Sequence, residues 1–350
     1  MKKLKIGVIF GGMSTEHDVS IVSGTSVSRN LNKEKYEIYP IYIDKEGIWY
    51  DGIDINKEYK VGEDIGNKNE IKDIIKYTKK LDVIFPVLHG LYGEDGTIQG
   101  LLELMKIPYV GCKVLGSSIA MDKVYAKIIC EKAKLNQAKF EYIRKDRDEY
   151  IYIDKKFDEK RYSLDEVSKL MEKKLPYPMF IKPSNSGSSV GINKACNFKE
   201  LKKYIEYAAQ YDKKILVEEG LKGKEIECSL LGNEDVKASC VGEVIPADSF
   251  YTFDAKYNNS KSKIIIPAKI SDELANEVRR VAIKAFKAID GKGFARIDFF
   301  VNEEEKKVYI SEINTIPGFT KISMYPKLWE QSGISYSDLL DELINLAREN

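Results

Sequence analysis

The sequence has few of the residues that form zinc sites or disulfide frameworks. It contains only two histidines, His17 and His89, and its five cysteines are an odd number with no C-x-x-C pair. A zinc site built on histidine and cysteine is therefore not expected. The cysteines are interpreted as reduced thiols, packed as small apolar side chains in a cytosolic protein.

The sequence also lacks an excess of either charge and any long apolar run. Its 56 Lys and Arg balance 55 Asp and Glu, so bulk charge does not favour a nucleic acid or a membrane surface as partner. The apolar run in "MKKLKIGVIFGG" stops at Phe10, too short for a secretory signal, and no segment has the length of a membrane span. We therefore expect a cytoplasmic protein without a nucleic-acid or membrane partner.

Strand-like and helix-like patterns alternate through the first third of the chain. The strand candidates are "KIGVIFGG", "YEIYPIYID", "LDVIFPVLHG" and the short "PYVGC". Between them, "EHDVSIVSGTSVSRNL", with Ser14 or Thr15 as its cap, and "TIQGLLELMKI" are helix candidates. This alternation predicts an α/β, doubly wound parallel sheet. Ligands bind beyond the carboxyl ends of such strands, where Gly11-Gly12 and His89-Gly90 lie.

The rest of the chain predicts mixed α and β structure. We expect one helix over "SSIAMDKVYAKIICEKAKL", a strand, a loop and a helix over residues 137–175, and strands at "YPMFIKP" and "KILVEEGL". A further sheet begins at Glu225 and runs to about Asn314, and the helix "YSDLLDELINLARE" follows. Because no Pro/Gly/Ser linker occurs, we expect closely packed domains at 1–120, 121–220 and 221–350, with an α+β C-terminal part.

The glycine- and serine-rich loop "IKPSNSGSSVGI" allows two interpretations. It matches the G-x-S-x-G pattern of a hydrolase with Ser189 as nucleophile, but that elbow needs a helix directly after it and a histidine later in the chain. "INKA" is not typical of a helix start, and both histidines come earlier. The loop is better explained as a set of N–H and O–H donors for phosphate. Lys182 precedes it, and Lys123 and Lys256 are further cationic candidates.

A hairpin near the end of the chain carries a patterned set of polar side chains. Two strands, about 294–301 and 308–314, flank the turn "NEEEKK". Side chains alternate between the faces of a strand, so a turn centred on Glu305 places Asp298 opposite Glu312 and Arg296 opposite Asn314. The other face of the first strand is predicted core, and it comprises Ala295, Ile297, Phe299 and Val301.

The hairpin's oxygen side chains indicate a magnesium site. Asp298, Glu312 and Asn314 are the hard ligands that Mg²⁺ prefers, and such sites leave positions for phosphate oxygens. The plainer interpretation is a solvated charged face. It explains the pattern less well, because that face is expected to turn apolar at Phe300, Val308 and Ile310. Together with the donor loop and the lysines, the hairpin favours phosphoryl transfer from ATP.

At this point the motifs resemble a known family. "GGMSTEHDVS", "PVLHGLYGEDGTIQGLLE", "MDK", "IKPSNSGSSVG", "DAKY", "ARIDFF" and "EINTIPGFT" are similar to those of D-alanine–D-alanine ligases, which are ATP-grasp enzymes of peptidoglycan synthesis. They run in family order from Gly11 to Ser323. The resemblance implies three domains, with ATP held between the central and C-terminal ones. It also implies D-alanine as the other substrate, and a homodimer.

The resemblance assigns the nucleotide-binding residues by motif position. It implies phosphate contacts from Lys123, Lys182 and Lys256, with Ser189 in the donor loop. Glu218 would contact the adenine and Glu225 the ribose. Two Mg²⁺ ions, or Mn²⁺ in their place, would be held by Asp298, Glu312 and Asn314.

The resemblance also assigns the amino-acid sites. Glu16 would bind the ammonium of the first D-alanine, near His89. Ser188 and Tyr257 would join Glu16 in a network that closes a mobile loop and excludes water from an acyl phosphate. The oxyanion would be stabilised by Arg296 and the N–H of Gly318, and the second carboxylate would be bound by Ser323 and the backbone of Met324. Plainer roles stay open from the residues alone, such as helix termini for Glu16 and Ser323.

Two departures bear on the second substrate. Tyr257 stands where peptide-forming members keep a tyrosine, which favours an amine. Ile322, however, stands where some members place a histidine, so D-serine stays open as the second substrate. The alternatives are therefore a D-alanine–D-serine ligase of the same fold and, from another class, a nucleotide-binding sensor without turnover.

Overall fold

The structure is a computed structural model that describes residues 2–187, 190–245, 263–320 and 322–349. Three sheets organise these residues: one spans 4–86, the second 140–219 and the third 224–314. No helix among the described residues is long and apolar enough to cross a membrane. The domain limits at about residues 120 and 220 stay a prediction.

The first sheet has a parallel centre, as predicted. Its strands, in the order β4-β3-β2-β1-β5, are β1 (Leu4–Gly11), β2 (Tyr36–Ile43), β3 (Trp49–Asp51), β4 (Asn69–Glu70) and β5 (Val83–Pro86). β1 pairs in parallel with β2 and β5, whereas β3 and β4 form an antiparallel edge that the sequence did not reveal. "PYVGC" contributes only a single bridge from Tyr109 to Ile84. The helices of this region are α1 (His17–Asn30), α2 (Ile74–Thr78) and α3 (Thr97–Met105).

The single helix predicted around "MDK" is two helices, α4 (Val114–Met121) and α5 (Lys123–Lys132). Asp122 separates them because its carboxylate caps α5, accepting the N–H groups of Val124 and Tyr125 at 3.1 Å each. The same carboxylate accepts a hydrogen bond from Ser184 at 2.6 Å and pairs with Lys214 at 2.5 Å. An aspartate at this position satisfies N–H groups that an unbroken helix would bond internally.

The second sheet is wholly antiparallel. Its elements are β6 (Phe140–Asp146), β7 (Glu149–Ile153), β8 (Glu159–Tyr162), α6 (Leu164–Lys174), β9 (Met179–Pro183), β10 (Asn193–Ala195), α7 (Phe198–Ala208) and β11 (Lys214–Glu219). The strand order is β10-β9-β11-β6-β7-β8. The single strand predicted within 137–175 was wrong, because β6, β7 and β8 form a meander there. "INKA" lies in strand β10 rather than a helix, so the loop before it is not a nucleophile elbow.

The third sheet is also antiparallel and carries the predicted hairpin. Its strands are β12 (Lys224–Leu231), β13 (Lys237–Ile245), β14 (Lys263–Ile265), β15 (Phe294–Asn302) and β16 (Lys307–Asn314), in the order β14-β13-β12-β15-β16. The helix α8 (Asp272–Ala288) packs its apolar face against this sheet. The helices α9 (Met324–Gln331) and α10 (Tyr336–Arg348) follow.

The C-terminal helix packs in the core of the N-terminal sheet. Leu339 and Leu343 of α10 lie in the same buried cluster as Phe10 and Phe85 of the first sheet. Phe319, which follows the hairpin, belongs to this cluster and stacks edge-on against Phe85. This packing holds the turn after β16 against the carboxyl ends of β1 and β5, where the candidate site lies.

Candidate active site

The hairpin has the predicted register at its polar end. Asp298 pairs with Glu312 and Arg296 with Asn314. The register shifts directly beyond Asp298, so that Phe299 pairs with Ile310.

This register shift is a β-bulge, and it contradicts the predicted facing of Val308 and Ile310. Val308 and Ile310 are 3% and 4% exposed and pack in the core with Phe299 and Val301, not on the carboxylate face. One extra residue in a strand reverses the facing of every side chain beyond it. The carboxylate face therefore ends sooner than strict alternation indicates.

Arg296 binds the carboxylate of Asp298, its neighbour on the same face of β15. Its Nε and Nη2 donate to the two oxygens of Asp298, each at 2.7 Å, and Nε lies 2.9 Å from Glu227 Oε2. Asn314 Nδ2 donates to Asp298 Oδ2 at 3.1 Å. Burial acts to lower the pKa of Arg296, but Asp298 and Glu227 outweigh it and raise that pKa well above its ordinary value. The guanidinium therefore stays charged at any working pH.

Lys123 joins the hairpin to the glycine- and serine-rich loop. Its Nζ lies 3.1 Å from Glu312 Oε1 and donates to the carbonyl oxygen of Ser186 at 2.7 Å. Lys123 is the first residue of α5, so the capping aspartate before it also fixes the direction of this lysine. The three predicted features, loop, lysine and hairpin, therefore meet at one place.

A second carboxylate lies between a buried lysine and a half-buried one. Glu218 on β11 contacts Lys182 at 2.5 Å and Lys127 at 2.8 Å. Burial acts to raise the pKa of Glu218, but the two lysines lower it to about 2. Sequence reasoning missed Lys127. Its spacing of four residues from Lys123 on one helix, which puts both on the same face, was the available signal.

The described residues suit magnesium in donor type. No group of three or more His, Cys, Asp or Glu side chains placed to hold a metal occurs among them. Asp298 and Glu312 nevertheless supply two carboxylates in cross-strand register, and Asn314 supplies an amide oxygen. Mg²⁺ typically binds one or two carboxylates together with substrate phosphates, so this smaller donor set fits the ion.

Glu16 lies where two loops approach closely. An added Cβ at Gly187 would stand 2.4 Å from Glu16 Oε2, and one at Gly90 would stand 2.7 Å from it. Glycines at both positions let the backbone pass close to this buried carboxylate. The predicted cap of α1 was wrong, because Glu16 itself occupies the N-cap position without a side-chain cap. Ser14 instead accepts the N–H of Glu16 and donates to the carbonyl of His89.

His89 is buried as a neutral imidazole. Its Nδ1 lies 2.9 Å from the carbonyl oxygen of Ile316, and its Nε2 lies 2.9 Å from Ser23 Oγ. Because a carbonyl only accepts, the proton resides on Nδ1 and Nε2 accepts from the hydroxyl. Burial lowers the pKa of His89 despite the nearby charge of Glu16. His89 thus links α1 to the turn after β16.

Glu94 was also missed, although it lies within a quoted motif. Its two oxygens accept the N–H groups of Gly90 at 2.8 Å and Ile316 at 3.0 Å. Burial, and then the charge of Glu16, raise the pKa of Glu94 to about 8. It therefore ties the loop beside Glu16 to the turn that follows the hairpin.

The far end of the site is built at the start of α9. Ser323 precedes Met324, the first residue of that helix, and its hydroxyl accepts the N–H of Thr320 at 3.0 Å instead of capping the helix. An added Cβ at Gly318 would stand 2.7 Å from Ser323 Oγ. Glycine at this position therefore keeps backbone N–H groups and the hydroxyl close together.

One cleft of about 1280 Å³ brings the predicted residues together. Every predicted site residue that the structure describes lines it: Glu16, His89, Lys123, Lys182, Glu218, Glu225, Arg296, Asp298, Glu312, Asn314, Gly318, Ser323 and Met324. The remaining predicted residues, Ser188, Ser189, Lys256 and Tyr257, lie outside the described residues.

Two antiparallel sheets, with lysines and a carboxylate hairpin along the cleft between them, define an ATP-grasp protein. Comparisons with known proteins agree. The family described as D-ala D-ala ligase N-terminus matches residues 5–112, and D-ala D-ala ligase C-terminus matches residues 129–345. The chain therefore belongs to the D-alanine–D-alanine ligase family.

Individual relatives are similar over nearly their whole lengths. The chain is 48% identical to a D-alanine–D-alanine ligase of Acetivibrio thermocellus, covering 99% of this chain and 96% of that protein. It is 50% identical to D-alanine–D-alanine ligase B of Clostridium tetani, with 100% and 95% covered. Among solved structures, VanG D-Ala:D-Ser ligase from Enterococcus faecalis has a TM-score of 0.84 at 35% identity, covering 99% of this chain and all of that one. The D-alanine–D-alanine ligase of Coxiella burnetii has a TM-score of 0.81 at 32% identity, with 100% and 95% covered.

Proposed function

We propose that this protein uses ATP to join two D-alanine molecules into D-alanyl-D-alanine, a precursor for peptidoglycan, with release of ADP and phosphate. Family membership over almost the whole chain supports this activity. The structural observation that carries it is a single cleft, lined by the carboxylate hairpin, the buried lysines and Glu16. Since ATP is the energy source, the reaction is assigned to the cytoplasm.

In the first step, the carboxylate of the first D-alanine attacks the γ-phosphate of ATP, which yields an acyl phosphate and ADP. Glu16 binds the ammonium of this D-alanine in a buried setting, with the neutral His89 nearby. Lys123 and Lys182 contact the phosphates. On nucleotide binding, their ion pairs with Glu312 and Glu218 are replaced by ion pairs with the more highly charged phosphates. Those carboxylates hold the lysines in position before the nucleotide binds.

The other end of the nucleotide site is assigned from the second and third sheets. Glu218 on β11 and the half-buried Glu225 on β12 line the same cleft. As the family resemblance implies, Glu218 would contact the adenine and Glu225 the ribose. Lys256, Ser188, Ser189 and Tyr257 keep the roles that the family resemblance implies for phosphate binding and loop closure.

In the second step, the amine of the second D-alanine attacks the acyl phosphate carbonyl and phosphate leaves. Negative charge develops on the carbonyl oxygen, and a fixed cation and an N–H group stabilise it best when they are already in place. Arg296, locked by two carboxylates, and the N–H of Gly318 take this role. Ser323 and the backbone of Met324 bind the carboxylate of the second D-alanine.

Magnesium is assigned to the hairpin. Asp298, Glu312 and Asn314 would hold the ions, which supply charge neutralisation for the phosphoryl group when bound. The two hydrogen bonds from the Arg296 guanidinium and the one from the Asn314 amide orient Asp298 for this role. Mn²⁺ has similar ligand preferences and would substitute.

The second substrate is assigned as D-alanine rather than D-serine. Relatives at 46–50% identity are D-alanine–D-alanine ligases, whereas the D-Ala:D-Ser ligase structure is 35% identical. The D-serine alternative is therefore not favoured.

A product assay tests the activity directly. The purified protein is incubated with ATP, Mg²⁺ and D-alanine, D-serine or their L-forms, and dipeptide and phosphate are measured. We expect D-alanyl-D-alanine and phosphate release that requires D-alanine. No phosphate release at all would instead favour a nucleotide-binding sensor without turnover, and release without any amino-acid requirement would contradict the ligase reaction. Ser189→Ala should lower activity less than Asp298→Ala does, the reverse of the order for a serine hydrolase.

We also propose a homodimer. Leu104 of α3 and Leu115 of α4 are 85% and 57% exposed, and Tyr92 in the loop before α3 is 47% exposed. Ser118 of α4 donates to the carbonyl of Asp95, so these elements lie side by side. Large apolar side chains exposed on neighbouring elements are the kind of surface that a protein–protein interface covers. Sedimentation velocity of the protein and of Leu104→Lys should show a dimer that the variant weakens.

A further inference from the structure

Lys327 lines the catalytic cleft and has no carboxylate partner among the described residues. Its half-buried side chain lines the cleft together with Ser323 and Met324. The other cleft lysines that are buried or half-buried, Lys123, Lys127 and Lys182, each have an ion pair with a glutamate. Within the described residues, no hydrogen bond or ion pair occupies the ammonium of Lys327. A cation that lines a substrate cleft and lacks a protein counterion is suited to an anionic group of a ligand.

The helix geometry brings this cation to the second-substrate site. Ser323 is the N-cap residue before α9 and Lys327 is the fourth residue of that helix, so the two lie about one helical turn apart at the same end of α9. Both side chains line the same cleft. A carboxylate bound by the Ser323 hydroxyl therefore lies within reach of the Lys327 ammonium.

The start of α9 is also a weaker main-chain anion site than most helix termini. The first turn of a helix normally offers several free N–H groups, but Pro326, its third residue, has none. No acidic residue occurs in this turn to compete for a cation. Lys327, one residue after Pro326, therefore supplies N–H donors at the end of α9 that has fewer free backbone N–H groups.

We propose that Lys327 binds the carboxylate of the second, acceptor amino acid together with Ser323. This inference rests on the proposed ligase function and extends it by naming a residue that selects acceptors with a free carboxylate. The ammonium forms a charge-assisted hydrogen bond with that carboxylate, while the acceptor amine stays directed towards the acyl phosphate. The same contact holds the terminal carboxylate of the dipeptide product, so Lys327 also sets how strongly product inhibits.

The test compares acceptors with and without the carboxylate. Lys327→Met removes the charge at similar volume, Lys327→Arg keeps it, and Lys222→Met removes another lysine that lines the same cleft. For each protein, the apparent KM values for ATP and for the first and second D-alanine are measured. Inhibition by D-alanyl-D-alanine is measured, and D-alaninamide is tested as an alternative acceptor.

We expect Lys327→Met to raise the second KM and the product inhibition constant about 10-fold or more, since about 10-fold is the lower end of the range for one hydrogen bond to a charged group. The first KM and the KM for ATP should change less than about 2-fold, as expected for a contact made only to the acceptor. The preference for D-alanine over D-alaninamide should shrink by the same factor as the second KM rises. Lys327→Arg should restore most of the preference, and Lys222→Met should leave it unchanged.

Two results would overturn the inference and separate it from the proposed function. If the wild-type protein forms dipeptide and Lys327→Met keeps its second KM and its preference for D-alanine, Lys327 does not bind the acceptor. If the variant raises the KM for D-alanine and for D-alaninamide equally, its role is structural. A wild-type protein that forms no dipeptide would refute the ligase function itself.

Discussion

Replacing Glu218 by glutamine should destabilise this protein more than any comparable change at its surface. The Glu218 side chain is 9% exposed, and its carboxylate neutralises Lys127 and Lys182, whose side chains are 7% and 17% exposed. Glutamine has nearly the same shape but no charge. The variant would therefore leave one buried and one half-buried ammonium group without their counterion.

The expected cost follows from the pKa of this carboxyl. A value of about 2, in place of the ordinary 4.5, means that the folded protein favours the ionised form. Since a tenfold change in proton affinity is about 1.4 kcal/mol, the preference is about 3 kcal/mol. Breaking a buried ion pair by removing one partner typically costs about 3–5 kcal/mol. We therefore expect the free energy of unfolding to fall by about 3 kcal/mol at pH 7.

The pH dependence has a definite sign. Because the pKa of Glu218 is lowered on folding, its contribution is fully present above the unfolded pKa of about 4.3 and is lost as pH falls towards 2. The difference between wild type and Glu218→Gln should therefore be largest at neutral pH and should shrink below about pH 4. Urea unfolding followed by circular dichroism at several pH values measures it.

Asp165 provides a matched control. It also pairs with two lysines, Lys169 at 2.7 Å and Lys202 at 3.0 Å, but its side chain is 45% exposed. Solvent screens such pairs, so Asp165→Asn should lower the free energy of unfolding far less than Glu218→Gln does. Equal losses in Glu218→Gln and Asp165→Asn would refute the argument, because burial would then have no part in the strength of the pair.

Three further predictions concern the catalytic cleft. Asp298→Asn removes a ligand charge and should raise the Mg²⁺ concentration for half-maximal activity about 10-fold or more and lower turnover; an unchanged Mg²⁺ titration would contradict the hairpin site. Because folding raises the pKa of Glu94 to about 8, its contribution to stability is present below about pH 4.3 and is lost as pH rises through 8. Glu94→Gln cannot ionise, so its melting temperature should fall less between pH 6 and 9, and parallel curves would count against this assignment. Gly318→Ala would place a methyl group 2.7 Å from Ser323 Oγ, so it should lower turnover and raise the second KM while the melting temperature changes little; unaltered kinetics would exclude the close approach.

Much of the site was predictable because its determinants are local. Alternation along two strands and a central polar turn were enough to place Asp298 opposite Glu312, since the pairing of a hairpin follows from its turn. The two glycines beside Glu16 lie in short motifs that the chain carries in family order. The loop before "INKA" was distinguished from a hydrolase elbow because "INKA" is not typical of a helix start and both histidines come earlier in the chain.

Other features depend on contacts between distant segments, which local patterns do not encode. The bulge that sends Ile310 into the core depends on packing against α8, and the break at Asp122 depends on Ser184 and Lys214 from the second sheet. Lys127 and Glu94 have ordinary sequence surroundings. Their importance arises only on folding, which buries Lys127 beside Glu218 and Glu94 beside Glu16. Away from water, a charged group is energetically costly unless it is paired. Local patterns thus determined the fold class, the hairpin and the chemistry of its ligands. The partners of each buried charge, and hence the charge state of the site, were decided only by tertiary structure, because burial and proximity are properties of the folded chain.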